Sequence, residues 1–222
     1  MQNKKVIKSL LTPALKVIAS LYLRRERFYS YNGLRVRISP GVFHPGLFFS
    51  TKILLDHLNN LDLKGKKVLE LGAGSGLISI TAASKGAIST ASEISKTALD
   101  DLRVNSGLNH LPVKIIQSDL FAGIPDTDFD LIIINPPYFH LDPSKESKYA
   151  WYCGSGFQYF RKLFPQLKRF KNCSVIIDMI LSEDCEIERI KEIASESDIV
   201  LKKVKEVTNW FEENYIYEIE FI

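Results

Sequence analysis

Val68-Leu69-Glu70-Leu71-Gly72-Ala73-Gly74-Ser75-Gly76-Leu77-Ile78-Ser79-Ile80 sets two short apolar runs on either side of three alternating glycines. The first run suits a short buried strand, and the second suits a helix entered directly from it. Glycines at 72, 74 and 76 let the backbone turn sharply and approach a ligand closely, with helix N–H groups beside it. Such a unit opens a parallel α/β sheet. Dinucleotide sites use a similar turn, and a tight turn without any ligand is the plainer alternative, so the rest of the chain has to discriminate.

Downstream, strands and helices alternate. Ala87 to Glu93 reads as a second strand and Lys96 to Ser106 as a helix. Val113 to Gln117 is a third strand, and Phe129-Asp130-Leu131-Ile132-Ile133-Ile134 a fourth. Phe157 to Phe170 reads as helix, Ser174 to Ile180 as a fifth strand, and Ile187 to Ala194 as helix. Two alternating segments, Ile199 to Val207 and Tyr215 to Ile222, close the chain and suit an edge hairpin. Strands joined by helices predict an α/β doubly wound, mostly parallel sheet. Upstream, Ser50-Thr51 suits the cap of a helix through His57, and Leu34-Arg35-Val36-Arg37-Ile38 alternates as a strand does. Thr12-Pro13 has the form of a helix start, with Leu15, Ile18 and Leu21 or Tyr22 on one face. The expected organisation is a basic N-terminal extension, 1–41, of a helix plus a strand, followed by one domain, 42–222.

With 222 residues, 45% hydrophobic and 25% charged, the chain has the composition of an ordinary globular protein. This excludes a disordered tail, a collagen-like fibre and a disulfide-built scaffold. Cys153, Cys173 and Cys185 share no metal-like spacing, no metal ligand set is expected, and unpaired thiols fit a cytoplasmic protein. No apolar run is long enough to span a membrane, and Lys8 and Lys16 interrupt any signal-like stretch. The net charge of +3 conceals an asymmetry. Lys4, Lys5, Lys8, Lys16, Arg24, Arg25, Arg27, Arg35 and Arg37 stand against Glu26 alone, +8 in all, which leaves −5 on the remainder. Such an arm suits a solvated helix end or a polyanion such as RNA.

Three acidic or amide positions follow strand ends. Glu93 ends the second strand, where a carboxylate can accept from both hydroxyls of a ribose. Asp119, after the third strand, can hold an adenine amino group, with Ile94 and Leu120 offering apolar faces to the ring. Asn135-Pro136-Pro137-Tyr138 ends the fourth strand, at the sheet edge where ligands bind in open α/β folds. The prolines stiffen this loop. The Asn135 side-chain oxygen and the Pro136 carbonyl can then converge on one planar –NH₂, while Tyr138 supplies a stacking face through its ring and not its hydroxyl.

Together, Glu70 to Gly76, Glu93, Asp119 and Asn135-Pro136-Pro137-Tyr138 resemble the class I S-adenosylmethionine-dependent methyltransferases of the small-domain group. That group includes release-factor glutamine, tRNA adenine-N6 and rRNA guanine-N2 methyltransferases. The resemblance runs over roughly Val42 to Ile180 and implies a seven-stranded sheet with an antiparallel strand at its edge. It implies S-adenosyl-L-methionine as cofactor, held by Glu70, Gly72, Ala73, Gly74 and Gly76 from the turn. Glu93, Ile94, Asp119, Leu120 and Asn135 complete that set. Asn135, Pro136 and Tyr138 are the implied catalytic residues. The larger helical domain that precedes the core in the glutamine enzymes is not expected in this sequence, and the stretch from Phe139 to Gly156 matches no known substrate loop.

The expected reaction is methyl transfer to an amino or amide nitrogen. The basic arm favours an exocyclic nucleobase amine in RNA, with a protein glutamine amide or a small molecule held by Phe139, Trp151 and Tyr152 as alternatives. His44 and His140 are the two histidines placed to carry away a proton, although a loop histidine is more often simply exposed. A nicotinamide-dependent dehydrogenase would leave Asn135-Pro136-Pro137-Tyr138 unexplained, and so would a non-catalytic cofactor-binding module.

Overall fold

The computed structural model describes residues 21–125, 128–144, 150–208 and 212–222. The Thr12-Pro13 helix start, the Leu15 and Ile18 face and the four N-terminal lysines lie outside the described residues.

The chain begins with a two-stranded antiparallel sheet, β1 (Arg27–Tyr31) and β2 (Leu34–Ile38). Asn32 and Gly33 both take positive φ, 46° and 81°, which gives the turn the twist that suits a two-residue hairpin. Asn-Gly is itself a hairpin signal, and the strand expected at Leu34–Ile38 is joined through it by a second strand, β1. Helix α1 (Phe49–Asn59) follows. Its cap is Phe48, without a side-chain bond, and Ser50 and Thr51 are buried inside the first turn instead of capping it. The reading of Ser50-Thr51 as a cap is thus corrected: Ser50 is turned toward Asn135.

The main sheet comprises β3 (Lys67–Leu71), β4 (Ile88–Glu93), β5 (Val113–Gln117), β6 (Leu131–Ile134), β7 (Ile176–Ser182), β8 (Ile199–Thr208) and β9 (Glu213–Phe221). Between them run α2 (Leu77–Ser84), α3 (Lys96–Leu108), α4 (Gln158–Leu167) and α5 (Ile187–Ser195). The strand order is β5-β4-β3-β6-β7-β9-β8, parallel except at β9, which pairs antiparallel with both β7 and β8. The closing hairpin is therefore at the sheet edge, with its reversed strand one place in from the margin.

Each central strand is buried on both faces, which is why these strands read as continuous apolar runs. Leu131 and Ile133 of β6 join Val68 in a core shared with α1, α2, Val36 and Ile38. Ile132 and Ile134 join Leu69 and Leu71 in the opposite core, beneath Phe160, Phe164, Ile190 and Ile193. The hairpin is also fastened to α3. Asn105 accepts from Arg37 N–H at 2.7 Å and returns a bond to the Arg37 carbonyl at 2.9 Å. Asn109 does the same for Arg35, at 2.9 and 2.8 Å. One helical turn thereby matches a two-residue strand step, and two side-chain amides act as a neighbouring strand. Arg37 and Ser39 also bind the fully buried Asp101.

Candidate active site

Strand order reverses between β3 and β6, so their carboxyl ends form the crevice of the sheet. Leu71 and Ile134 are register partners there. The residues that follow them, Gly72 and Asn135, therefore begin the two loops that wall one cavity of about 580 Å³. That volume suits a cofactor-sized ligand.

The turn after β3 is held by β4. Gly72 and Ala73 N–H groups donate to the Ser92 carbonyl at 2.9 and 3.0 Å. Gly74 N–H donates to Glu93 Oε2 at 2.9 Å, and Glu93 Oε1 accepts from Ile94 and Ser95 at 2.7 and 2.9 Å. Gly72, with φ 72°, has nothing within 4 Å of where a Cβ would stand, and the turn presents bare backbone to the cavity. Glu70 lies beneath it, buried, its Oε2 taking Ser79 N–H at 2.8 Å and Ser79 Oγ at 2.5 Å. Burial pushes its carboxyl up to about 7, against the lowering effect of the Ser79 bonds.

Most of the residues singled out in the sequence converge on this cavity: Glu70, Gly72, Ala73, Gly74, Glu93, Ile94, Asp119, Leu120, Asn135, Pro136 and Tyr138 all line it. Gly76 does not. A Cβ there would fall 2.2 Å from Leu102 Cδ2, so this glycine, at φ 77°, serves the close contact between α2 and α3. The structure gives it a packing role and does not bring it to the cavity wall with the other turn glycines. Asp119 lines the cavity already paired with Lys162 Nζ, a partner that no spacing in the sequence announces.

In the loop after β6, Tyr138 Oη donates to Asn135 Oδ1 at 2.6 Å. The hydroxyl expected to be idle therefore holds the catalytic candidate. Asn135 Nδ2 reaches Ser50 Oγ at 3.4 Å. Phe43, Phe48 and Trp151 form a ring cluster, with centroids 4.7, 5.1 and 4.9 Å apart, on the same wall. Phe139 and Tyr152 join by a parallel bridge and also line the cavity.

The two histidines stand elsewhere. His44 is buried between Tyr22 and Tyr29, with Nδ1 accepting from Gly46 N–H, and burial lowers its basicity. His140 stacks on Phe157 at 4.4 Å and binds Glu186 at 3.0 Å. Neither lines the cavity itself, although their chain neighbours Phe43, Pro45 and Phe139 do. All three cysteines are unpaired, and burial pushes the Cys153 and Cys185 thiols up to about 11. Among the described residues no His/Cys/Asp/Glu group is arranged to hold a metal, and no helix is long and apolar enough to cross a membrane.

A doubly wound sheet with one reversed strand near its margin, and a crevice between a glycine turn and an Asn-Pro-Pro-Tyr loop, is the Rossmann-like fold of class I methyltransferases. The Methyltransferase small domain family matches residues 33–152, and the chain belongs to it. Among curated relatives, a putative protein N5-glutamine methyltransferase of Methanocaldococcus jannaschii is 38% identical over 127 residues, covering 56% of this chain and 60% of that protein. The release factor glutamine methyltransferase of Dictyoglomus turgidum is 33% identical over 192 residues, covering 78% and 66%. The chain thus spans less than two thirds of the length of these relatives. Among solved structures, a methyltransferase from Pyrococcus furiosus superposes with a TM-score of 0.63 at 18% identity, over 96% of this chain and 100% of that one. The T. thermophilus 16S rRNA N2 G1207 methyltransferase, in complex with AdoMet and guanosine, gives 0.59 at 19%, over 89% and 50%.

Proposed function

We propose that this chain is an S-adenosylmethionine-dependent N-methyltransferase acting on a planar amino or amide nitrogen. The observation that carries the reading is the adjacency of the glycine turn and Asn135-Pro136-Pro137-Tyr138 in one cavity, at the ends of paired strands. The residues present suit the cofactor. Bare turn backbone leaves room for it, Glu93 stands where ribose hydroxyls can donate, and Ile94 and Leu120 flank space for a purine ring. When bound, S-adenosylmethionine supplies an electrophilic methyl group on a sulfonium.

The lone pair of an amide or ring-attached amine is delocalised, so the nitrogen is a poor nucleophile. Asn135 Oδ1 and the Pro136 carbonyl, by accepting its two hydrogens, draw electron density onto nitrogen and fix its orientation. Tyr138 holds Asn135 in place and offers its ring to the planar group. Neither histidine lines the cavity, and the proton leaves to water.

A protein glutamine amide is the acceptor favoured by the relatives that align over most of the chain. An exocyclic amine of RNA is the second reading, supported by the +8 charge before Ile38. Three of the described arginines already have partners within the fold. Arg27 lies over Tyr22 at 4.0 Å, Arg35 over Phe28 at 4.3 Å, and Arg37 on Asp101. The deciding experiment incubates the protein with methyl-labelled S-adenosylmethionine and separate protein, RNA and metabolite fractions. Label in a base-stable amide of protein supports the first reading; label in RNA, with affinity falling steeply with salt, supports the second. No label in any fraction, with the cofactor bound, would overturn both.

A further inference from the structure

Ser50 is 1% exposed in the first turn of α1, and its hydroxyl takes no part in capping that helix. A buried hydroxyl needs a partner, and here the partners belong to the acceptor loop. Asn135 Nδ2 donates toward Ser50 Oγ at 3.4 Å, and Tyr138 Oη donates to Asn135 Oδ1 at 2.6 Å. The three side chains form one line of hydrogen bonds, from Tyr138 through the Asn135 carboxamide to Ser50, whose members reinforce one another.

This line of bonds answers a question that the loop alone leaves open. A carboxamide has two ends of nearly equal shape, and a half-turn exchanges its oxygen and its NH₂. Only with oxygen toward the cavity can Asn135 accept hydrogen from an amino group. A phenol is the better donor and an aliphatic hydroxyl the better acceptor, so Tyr138 on one side and Ser50 on the other favour one of the two orientations. The long bond to Ser50 is the weaker of the two, but it is the one that marks the NH₂ end.

We propose that Ser50 is a positioning residue of the acceptor site: together with Tyr138 it fixes the Asn135 carboxamide with Oδ1 presented to the nitrogen to be methylated. The proposal rests on the amino- or amide-nitrogen reading given above, and its first test is independent of methyl transfer. In ¹⁵N-labelled full-length protein, the Asn135 side-chain NH₂ signals are assigned by their loss in Asn135→Ala. Ser50→Ala is expected to shift those signals and speed their exchange with solvent about tenfold, whereas Ser50→Thr, which keeps the hydroxyl, leaves them near their original positions. Unchanged signals in Ser50→Ala overturn the proposal, whatever the enzyme methylates. The second test uses the fraction that takes label. Ser50→Ala should lower kcat roughly 3–10-fold with S-adenosylmethionine affinity unchanged, the scale of one neutral hydrogen bond. It should have no further effect in an Asn135→Ala background, where nothing remains to be oriented. A full additive loss there would overturn the positioning role. Should Ser50→Ala fail to fold, Ser50→Cys, close in volume and a weaker partner, provides the same two readouts.

Discussion

The Gly74 N–H donates to Glu93 Oε2 at 2.9 Å, so the acid that ends β4 holds the crest of the turn that follows β3. Its other oxygen is taken by the N–H groups of Ile94 and Ser95. Glu93 therefore shapes the backbone of the turn as well as facing any ligand above it. Glu93→Ala is expected to weaken S-adenosylmethionine binding by about 1–3 kcal/mol, the scale of charge-assisted hydrogen bonds. Nicotinamide dinucleotides should bind neither form. Titration calorimetry showing tight dinucleotide binding by the parent protein would reject the cofactor assignment.

Gly72 and Gly76 share a positive φ but differ in what surrounds them, and substitution should separate their roles. Gly76→Ala drives a methyl group into Leu102 and forces a left-handed alanine, which should cost roughly 2–4 kcal/mol of stability. Gly72→Ala meets no neighbour, so its stability loss should stay near 1–2 kcal/mol, while cofactor affinity falls about tenfold as the methyl enters the cavity. Thermal melts with and without S-adenosylmethionine distinguish the two.

Asn135→Ala should reduce turnover about 10²–10³-fold and leave cofactor affinity within a few-fold, as loss of a hydrogen-bond partner felt in the transition state does. A Tyr138 that served only as a stacking ring would make Tyr138→Phe mild. Since the hydroxyl holds Asn135 Oδ1, we expect instead a loss of roughly 3–10-fold in kcat. Tyr138→Ala, which also removes the ring, should be worse than either. Steady-state kinetics on the labelled fraction measure all three.

Glu70 makes stability depend on pH. Its carboxyl is raised in the folded protein to about 7 from 4.5, so between those values the unfolded chain has already lost a proton that the native chain retains. Stability from this group is full below about pH 4.5 and is lost as pH rises through 7, by up to ~3 kcal/mol. Glu70→Gln keeps an oxygen for the two Ser79 bonds and does not titrate. The difference in melting temperature between variant and parent should therefore grow in the variant's favour from pH 5 to pH 8. A constant difference would mean that Glu70 does not titrate in that range.

Much of this site could be read from the chain because its parts are local. A glycine turn, an acid at a strand end and a proline-stiffened loop each declare themselves within a few residues, and alternating strands and helices bring them to one edge. What escaped notice depends on long-range contact. Lys162 meets Asp119 across 43 positions, and Ser50 meets Asn135 across 85. Gly76 carries the same local signal as Gly72 and Gly74, and only the packing of α3 behind it reveals its different duty. The β1 strand differs from these, because its Asn32-Gly33 turn is a local signal legible in the sequence.

The amide group of Asn105 has a partner beyond the hairpin, because its Nδ2 also donates to the Ser75 carbonyl at 2.9 Å. One buried side chain thus ties β2 and the glycine turn to the same point on α3. Amides of the hairpin and of the turn are accordingly expected to gain or lose protection from hydrogen exchange together, which exchange measurements on Asn105→Ala would check. Anything that grips the N-terminal segment, whether protein or nucleic acid, would therefore alter how often the floor of the cavity opens, without touching the cavity itself.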